Sequence, residues 1–193
     1  MSSKQRILDE AYLLFAEYGE HFSLSQVTKK LGIKKQSIYN YFVKKDDLIV
    51  EMLTTRINQY YEEINQSLET IATCTPKEQL YQMGLFFINS NADITRIKVR
   101  HCLSMIQHTE LLRPLRDNIE QQTMKHEHRF IDILKKGIEN EEIIDGDLKF
   151  FCCFYFTFLR GLIDGAIMST PYESSKVFYD KFFEEYWSMI STK

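Results

Sequence analysis

Within its first 45 residues the chain carries three short helical patterns, and the last two are parted only by a tight turn at one glycine. Ile7, Ala11, Leu14, Phe15 and Tyr18 recur at helical spacing and predict a first helix from Ser3 to Tyr18. Gly19 ends it, where a left-handed residue costs little. Ser23 opens a second helix, and Gln26, three residues on, completes a capping box. That helix stops at Gly32. A third begins near Lys35 and carries Ile38, Tyr39 and Phe42. Two helices joined by a tight glycine turn and preceded by a third form the helix-turn-helix pattern.

The rest of the chain keeps the helical period. A fourth helix starts near Asp46, and Leu53, Ile57, Tyr60, Ile64, Leu68 and Ile71 hold the 3.6 spacing as far as about Ala72. Thr75, Pro76 and Glu78 form a second capping box, with proline at the first helical position, and start a fifth helix. A sixth is expected from Ile94 to His108. Pro114 is expected to open a long seventh, with Gln122, His126, Phe130 and Ile133 along one face. Asp147 opens the eighth and Pro171 closes it. Ser174 or Ser175 caps the ninth. With only 7 glycines and 3 prolines and no segment of alternating period, the turn-rich β folds are disfavoured. The expected class is all-α with about nine helices. A three-helix head over 1–47 is expected to precede a longer helical body over 48–193.

The net charge of −3 is itself no sign of nucleic-acid binding. Its distribution is: between Thr28 and Lys45 lie six lysines and no acidic residue. A basic patch on an acidic chain suits a DNA reader with a second function elsewhere. Cys74, Cys102, Cys152 and Cys153 have no CxxC spacing and read as reduced, buried thiols. The apolar run Phe150–Leu159 is too short to span a bilayer, and no signal core precedes the first helix, so a soluble cytoplasmic protein is expected. No nucleophile with a base, phosphate loop or carboxylate pair points to an enzyme. His126 and His128, two apart on a helix, diverge, and no cofactor or metal is expected.

A helix in the major groove must offer polar or amide groups to base edges. The third helix and its end offer Lys35, Gln36, Ser37 and Asn40, on positions that Ile38 and Phe42 leave outward. Gln36 and Asn40 suit adenine, and lysine suits guanine acceptors. Tyr39 and Tyr41 can reach phosphates or a thymine methyl. Lys45, just before the fourth helix, and Ser23 and Ser25 at the start of the second are candidate phosphate contacts.

Residues 7–48 resemble the DNA-binding domain of the TetR family. The likeness rests on Ile-Leu-Asp-Glu-Ala-Tyr-Leu-Leu-Phe-Ala-Glu-Tyr-Gly from Ile7, on Ser23, on Leu31-Gly32-Ile33, on Ile38-Tyr39-Asn40-Tyr41-Phe42 and on Lys45-Asp46-Asp47-Leu48. It implies a third helix that reads the major groove, with Tyr39 and Lys45 on phosphates, and a homodimer on a near-palindromic site. Gln36 stands where that family often has glycine or proline, and Tyr41 where histidine is frequent, so the operator sequence does not carry over.

Helices eight and nine are apolar on more than one face, which requires burial on more than one side. Phe154, Phe158, Gly161, Gly165, Phe178, Phe182 and Tyr186 are therefore assigned to a four-helix dimer interface, and the resemblance implies the same; the alternative is that the aromatics fill the chain's own core. Met83, Phe86, Phe87, Met105, Phe130, Tyr155 and Phe156 are candidate lining of an effector cavity, against the alternative of plain core. Arg160 and Asp164, four apart, either pair with each other or hold a polar ligand group. The function expected is a repressor released from its operator by a small hydrophobic or amphipathic effector. The alternative is a DNA-binding protein of the same fold with no inducer, in a structural or division-control role.

Overall fold

The computed structural model describes residues 2–91, 93–106, 109–168 and 172–192. Among these, nine α-helices and one 3-10 turn follow in order: α1 Ser3–Tyr18, the turn Gly19–His21, α2 Leu24–Leu31, α3 Lys35–Tyr39, α4 Lys45–Thr70, α5 Pro76–Asn91, α6 Ile94–Met105, α7 Thr109–Glu139, α8 Leu148–Met168 and α9 Tyr172–Ile190. The class is all-α. The only β-type pairing among the described residues is an isolated bridge between Ile143 and Ser191. No described helix is long and apolar enough to cross a membrane.

Short-range chemistry sets most helix starts. The Ser23 hydroxyl accepts from Gln26 N while Ser23 N donates to Gln26 Oε1, closing the expected capping box on α2. Glu78 N donates to Thr75 Oγ1 ahead of α5. Arg96 N donates to the Asp93 carboxylate at α6, and Lys149 N and Phe150 N both donate to Asp147 at α8.

Two boundaries differ from the sequence expectation. Pro114 lies inside α7 instead of opening it. Leu112 and Leu115 on either side are both buried, and that packing outweighs the one helix bond the proline forfeits. The sixth helix ends at Met105, because Ile106 turns extended and enters the core. His108, Pro171 and the side chains of Ser174 and Ser175 lie outside the described residues.

By contact the chain divides into two compact units. The first takes Met1–Tyr60 with Asp93–Glu120, the second Tyr61–Ala92 with Gln121–Lys193. In the first, Ile7, Ala11, Leu14 and Phe15 of α1 bury against Val27 of α2, Ile38 of α3 and Leu48, Ile49, Met52 and Leu53 of α4. Val99 of α6 and Leu112 and Leu115 of α7 join the same cluster. This core is mainly aliphatic.

The core of the second unit is largely aromatic. Met83 of α5, Phe130 and Leu134 of α7, Tyr155 and Leu159 of α8, and Tyr179, Phe183 and Tyr186 of α9 are all buried in it. Phe130 packs on Tyr155 and Phe156 with ring centroids 4.9 and 5.2 Å apart, and Phe158 stacks on Phe182 at 3.6 Å. The hydroxyls are satisfied by the neighbouring helix: Tyr155 donates to Leu80 O and Tyr179 to Tyr81 O, both at 2.6 Å, and the two hydroxyl oxygens are 2.9 Å apart. Two phenolic protons thus serve three close contacts. Tyr186 donates to Phe151 O at 3.1 Å. Burial pushes all three phenols above their ordinary pKa, so they stay protonated. Gly84 makes the arrangement possible, since a Cβ there would overlap the hydroxyls of Tyr155 and Tyr179.

Candidate nucleic-acid interface

α3 is held by its apolar side. Ile38 and, just past the helix end, Phe42 are buried in the first unit's core. That fixes the opposite side outward: Lys35, Gln36, Tyr39, Asn40 and Tyr41 are exposed, and Ser37 is half-buried. Gly32 shapes the turn between α2 and α3 in the left-handed region, at φ 65°. Ser23 and Ser25 are exposed at the start of α2. The Ser23 hydroxyl accepts from Gln26 N, which leaves its proton to donate. The nine residues expected to meet DNA thus lie on α2, α3 and the start of α4, around one small core. Sequence reasoning passed over Val43, an apolar side chain 88% exposed between Phe42 and Lys44.

Lys45 has work inside the fold as well. Its Nζ donates to Glu20 O at 2.5 Å and to Phe22 O at 3.3 Å, and it lies 5.6 Å from the Phe22 ring centroid. Two of the three ammonium protons are so used; one remains for an anion. The first turn of α4 carries its own carboxylates, Asp46 and Asp47, and Asp47 accepts from Lys44 N at 3.1 Å. Beside it a groove of about 570 Å³ is lined by Glu20, Asp46, Asp47 and Glu110 against His21, Lys44 and Lys45. Four carboxylates make this groove a poor seat for a phosphate chain, which favours the lysine-bearing face of α2 and α3.

Two ion pairs clamp α4 to α1. Lys4 Nζ is 2.6 Å from the Glu51 carboxylate, and Arg56 Nη2 is 2.8 Å from Asp9. Gln5 donates to the same Asp9 oxygen, and the Arg56 guanidinium covers the Tyr12 ring at 4.8 Å. The links between α1 and α4 have no sequence signal, since their partners are over forty residues apart.

In the second unit, Met83, Phe130 and Tyr155 are fully in the core, and Phe87 and Phe156 pack against it. Phe86 is half-buried. Met105 lies on α6 in the first unit and is 68% exposed. Of the residues expected at a dimer interface, Phe154 and Phe178 are exposed, Phe178 to 56%, Phe158 and Phe182 are half-buried and Tyr186 is buried. A Cβ on Gly161 would meet nothing within 4 Å, so that stretch of α8 is open. The surroundings of Gly165 lie outside the described residues. Arg160 and Asp164 are both exposed. Of the cysteines expected to be buried, Cys152 is, and burial pushes its thiol up to about 12. Cys153 is exposed, because one residue further on a helix points about 100° away.

Residues 7–52 match the family model for bacterial regulatory proteins of the tetR family. The fatty acid metabolism regulator protein of Bacillus subtilis is 26% identical over 145 residues, 73% of this chain and 71% of that one. The nucleoid occlusion factor SlmA of Vibrio cholerae is 23% identical over 185 residues, 92% of this chain and 87% of that one. Among solved structures, the transcriptional regulator FadR from Bacillus subtilis in complex with stearoyl-CoA superposes with a TM-score of 0.73 at 22% identity, covering 95% of this chain and 97% of that one.

Proposed function

We propose that this chain, whose residues 7–52 match the model for bacterial regulatory proteins of the tetR family, is a cytoplasmic, homodimeric repressor released from its operator by an amphipathic small molecule. Residues 1–47 read DNA; residues 48–193 bind the effector and pair with a second copy. The observation that carries the reading is the anchoring of α3: Ile38 and Phe42 are buried while Lys35, Gln36, Tyr39, Asn40 and Tyr41 are exposed. A single short helix buries too little for tight specific binding, and two copies on a near-palindrome supply the rest. Exposed Phe154 and Phe178 on α8 and α9 support pairing there. Ser23 and Tyr39 meet phosphates, as does Lys45 through its one unused proton and outside the carboxylate-lined groove, while Gln36 and Asn40 meet base edges.

The effector acts through α4. That helix runs unbroken from Lys45, beside the reading surface, to Thr70, and the clamp to α1 makes its first half move with the head. An effector that binds two settings of α4 unequally shifts the spacing of the paired heads. The aromatic cluster around Phe87, Phe130 and Phe156 suits an acyl chain or another flat or flexible apolar body. The stearoyl-CoA in complex with the FadR structure is a molecule of that class.

The test is selection of bound duplexes from a random pool, followed by titration of the selected site with stearoyl-CoA. An enriched palindrome that the thioester releases is expected. No enrichment at low salt would remove the reading. The alternative is a DNA-binding protein of the same fold with no inducer, in a structural or division-control role, and the likeness to a nucleoid occlusion factor over 92% of the chain fits that role. Its mark would be an enriched palindrome that no amphiphile releases.

A further inference from the structure

One polar atom in the second unit is buried with nothing to bond. His126 of α7 stacks on Tyr61 of α4, ring centroids 5.2 Å apart and 10° from parallel. Tyr61 is fixed by its hydroxyl, 3.2 Å from Thr123 Oγ1 one turn back on α7. The stack points the imidazole inward, and Nε2 is shut off from solvent with no hydrogen-bond partner among the described residues. A buried polar atom without a partner calls for a reason. One turn on, at i+4, is Phe130, buried and in ring contact with Tyr155 and Phe156. A polar hook therefore stands at the edge of the aromatic cluster, on the seam between α7 and α4.

We propose that His126 Nε2 is the anchor for the acidic headgroup of an amphiphilic effector whose apolar part is received by the Phe87, Phe130 and Phe156 rings. This rests on the effector-responsive reading above and gives it a headgroup class. Lys125 and Arg129 on α7 act electrostatically on the ring, and Tyr61 on α4 is the titratable group stacked against it. Two cations and a hydrogen-bond donor favour a carboxylate or a phosphate over an uncharged head. Without ligand, burial first and then Arg129 and Lys125 hold the imidazole below its ordinary pKa, and so neutral. An anion at Nε2 reverses that balance. Binding then takes one proton from solvent onto the imidazole, which donates Nε2–H to the anion while its face stays on Tyr61, a stack that a cation strengthens. Because the complex holds the extra proton, affinity rises as pH falls, by up to about tenfold per pH unit.

The experiment is calorimetric titration of the full chain with dodecanoate, dodecyl phosphate and 1-dodecanol at pH 6 and pH 8, in buffers of different ionisation enthalpy. The same titrations are run on His126→Phe, which keeps the stack, and His126→Gln, which keeps a donor but takes up no proton. The expected result is binding of at least one acid with proton uptake, tighter at pH 6. His126→Phe should weaken it roughly tenfold, and His126→Gln should bind without pH dependence. Operator affinity of each variant in the absence of amphiphile checks that it is folded. Equal affinity and equal proton uptake in wild type and both variants would overturn the anchor. Binding of dodecanol alone would overturn it too, while leaving an amphiphile effector standing. No binding of any of the three would take both down.

Discussion

The two units solve the same packing problem with different chemistry. The first surrounds α3 with aliphatic side chains, leaving one polar face free, and its turns are set by residues three or four apart: Ser23 with Gln26, Gly32 with Thr28. The second is held by aromatic rings and by phenols that reach across seventy-odd to ninety-odd residues to carbonyls of α5. A reader of DNA needs a fixed small scaffold, which local rules can build. A sensor needs a core that can take up a guest. Here rings with a few hydroxyl contacts, as at Tyr155 and Tyr179, make up that core. On the proposed reading the difference is a division of labour, and it can be broken from either side.

The largest effect is expected from Phe130→Ala, which empties the centre of the aromatic cluster. Loss of a fully buried phenylalanine costs about 3–5 kcal/mol, readable as a lower midpoint in urea unfolding followed by circular dichroism. Operator affinity per folded molecule should stay near wild type if the reading scaffold is independent of that core. A parallel loss of operator affinity in the folded fraction would mean that the two units are coupled even without effector.

Gly84→Ala sharpens the same point. In an exposed helix alanine would stabilise by about 1 kcal/mol. Here its methyl meets the hydroxyls of Tyr155 and Tyr179, and overpacking of this kind costs about 1–3 kcal/mol. The variant should be less stable than wild type, and adding Tyr155→Phe with Tyr179→Phe should return part of the loss. A stabilised Gly84→Ala would show that α5 shifts freely against α8 and α9.

Where the sequence was legible follows the same line. The start and end of α1, the capping box of α2, the turn at Gly32 and the caps at Thr75 and Asp147 are all short-range, and each stands where local chemistry puts it. The exposed face of α3 was legible too, because burying Ile38 and Phe42 leaves only one side of α3 for Gln36 and Asn40. What escaped depends on partners far along the chain. The entry of residues 93–120 into the first unit, Lys45 turned onto the carbonyls of Glu20 and Phe22, and the Asp9–Arg56 clamp have no periodic trace. Pro114 misled because a local rule met the burial of Leu112 and Leu115. Met105 looked like cavity lining by residue type, yet it sits exposed on α6, and type alone does not choose a helix face.

The smallest effects, and the most specific, are expected at the proposed reading surface. Gln36→Ala and Asn40→Ala should leave the unfolding midpoint unchanged, since both side chains are exposed, and should alter which bases are enriched, at about 1–3 kcal/mol per lost base contact. Lys45→Ala should differ from both. It removes the proposed phosphate contact, which should weaken all sequences alike and flatten the salt dependence. It also frees the carbonyls of Glu20 and Phe22, so a loss of thermal stability should accompany it. If Lys45→Ala lowered stability but left the salt slope at the wild-type value, the third ammonium proton would not be meeting DNA, and Lys45 would serve the first unit as a strut alone.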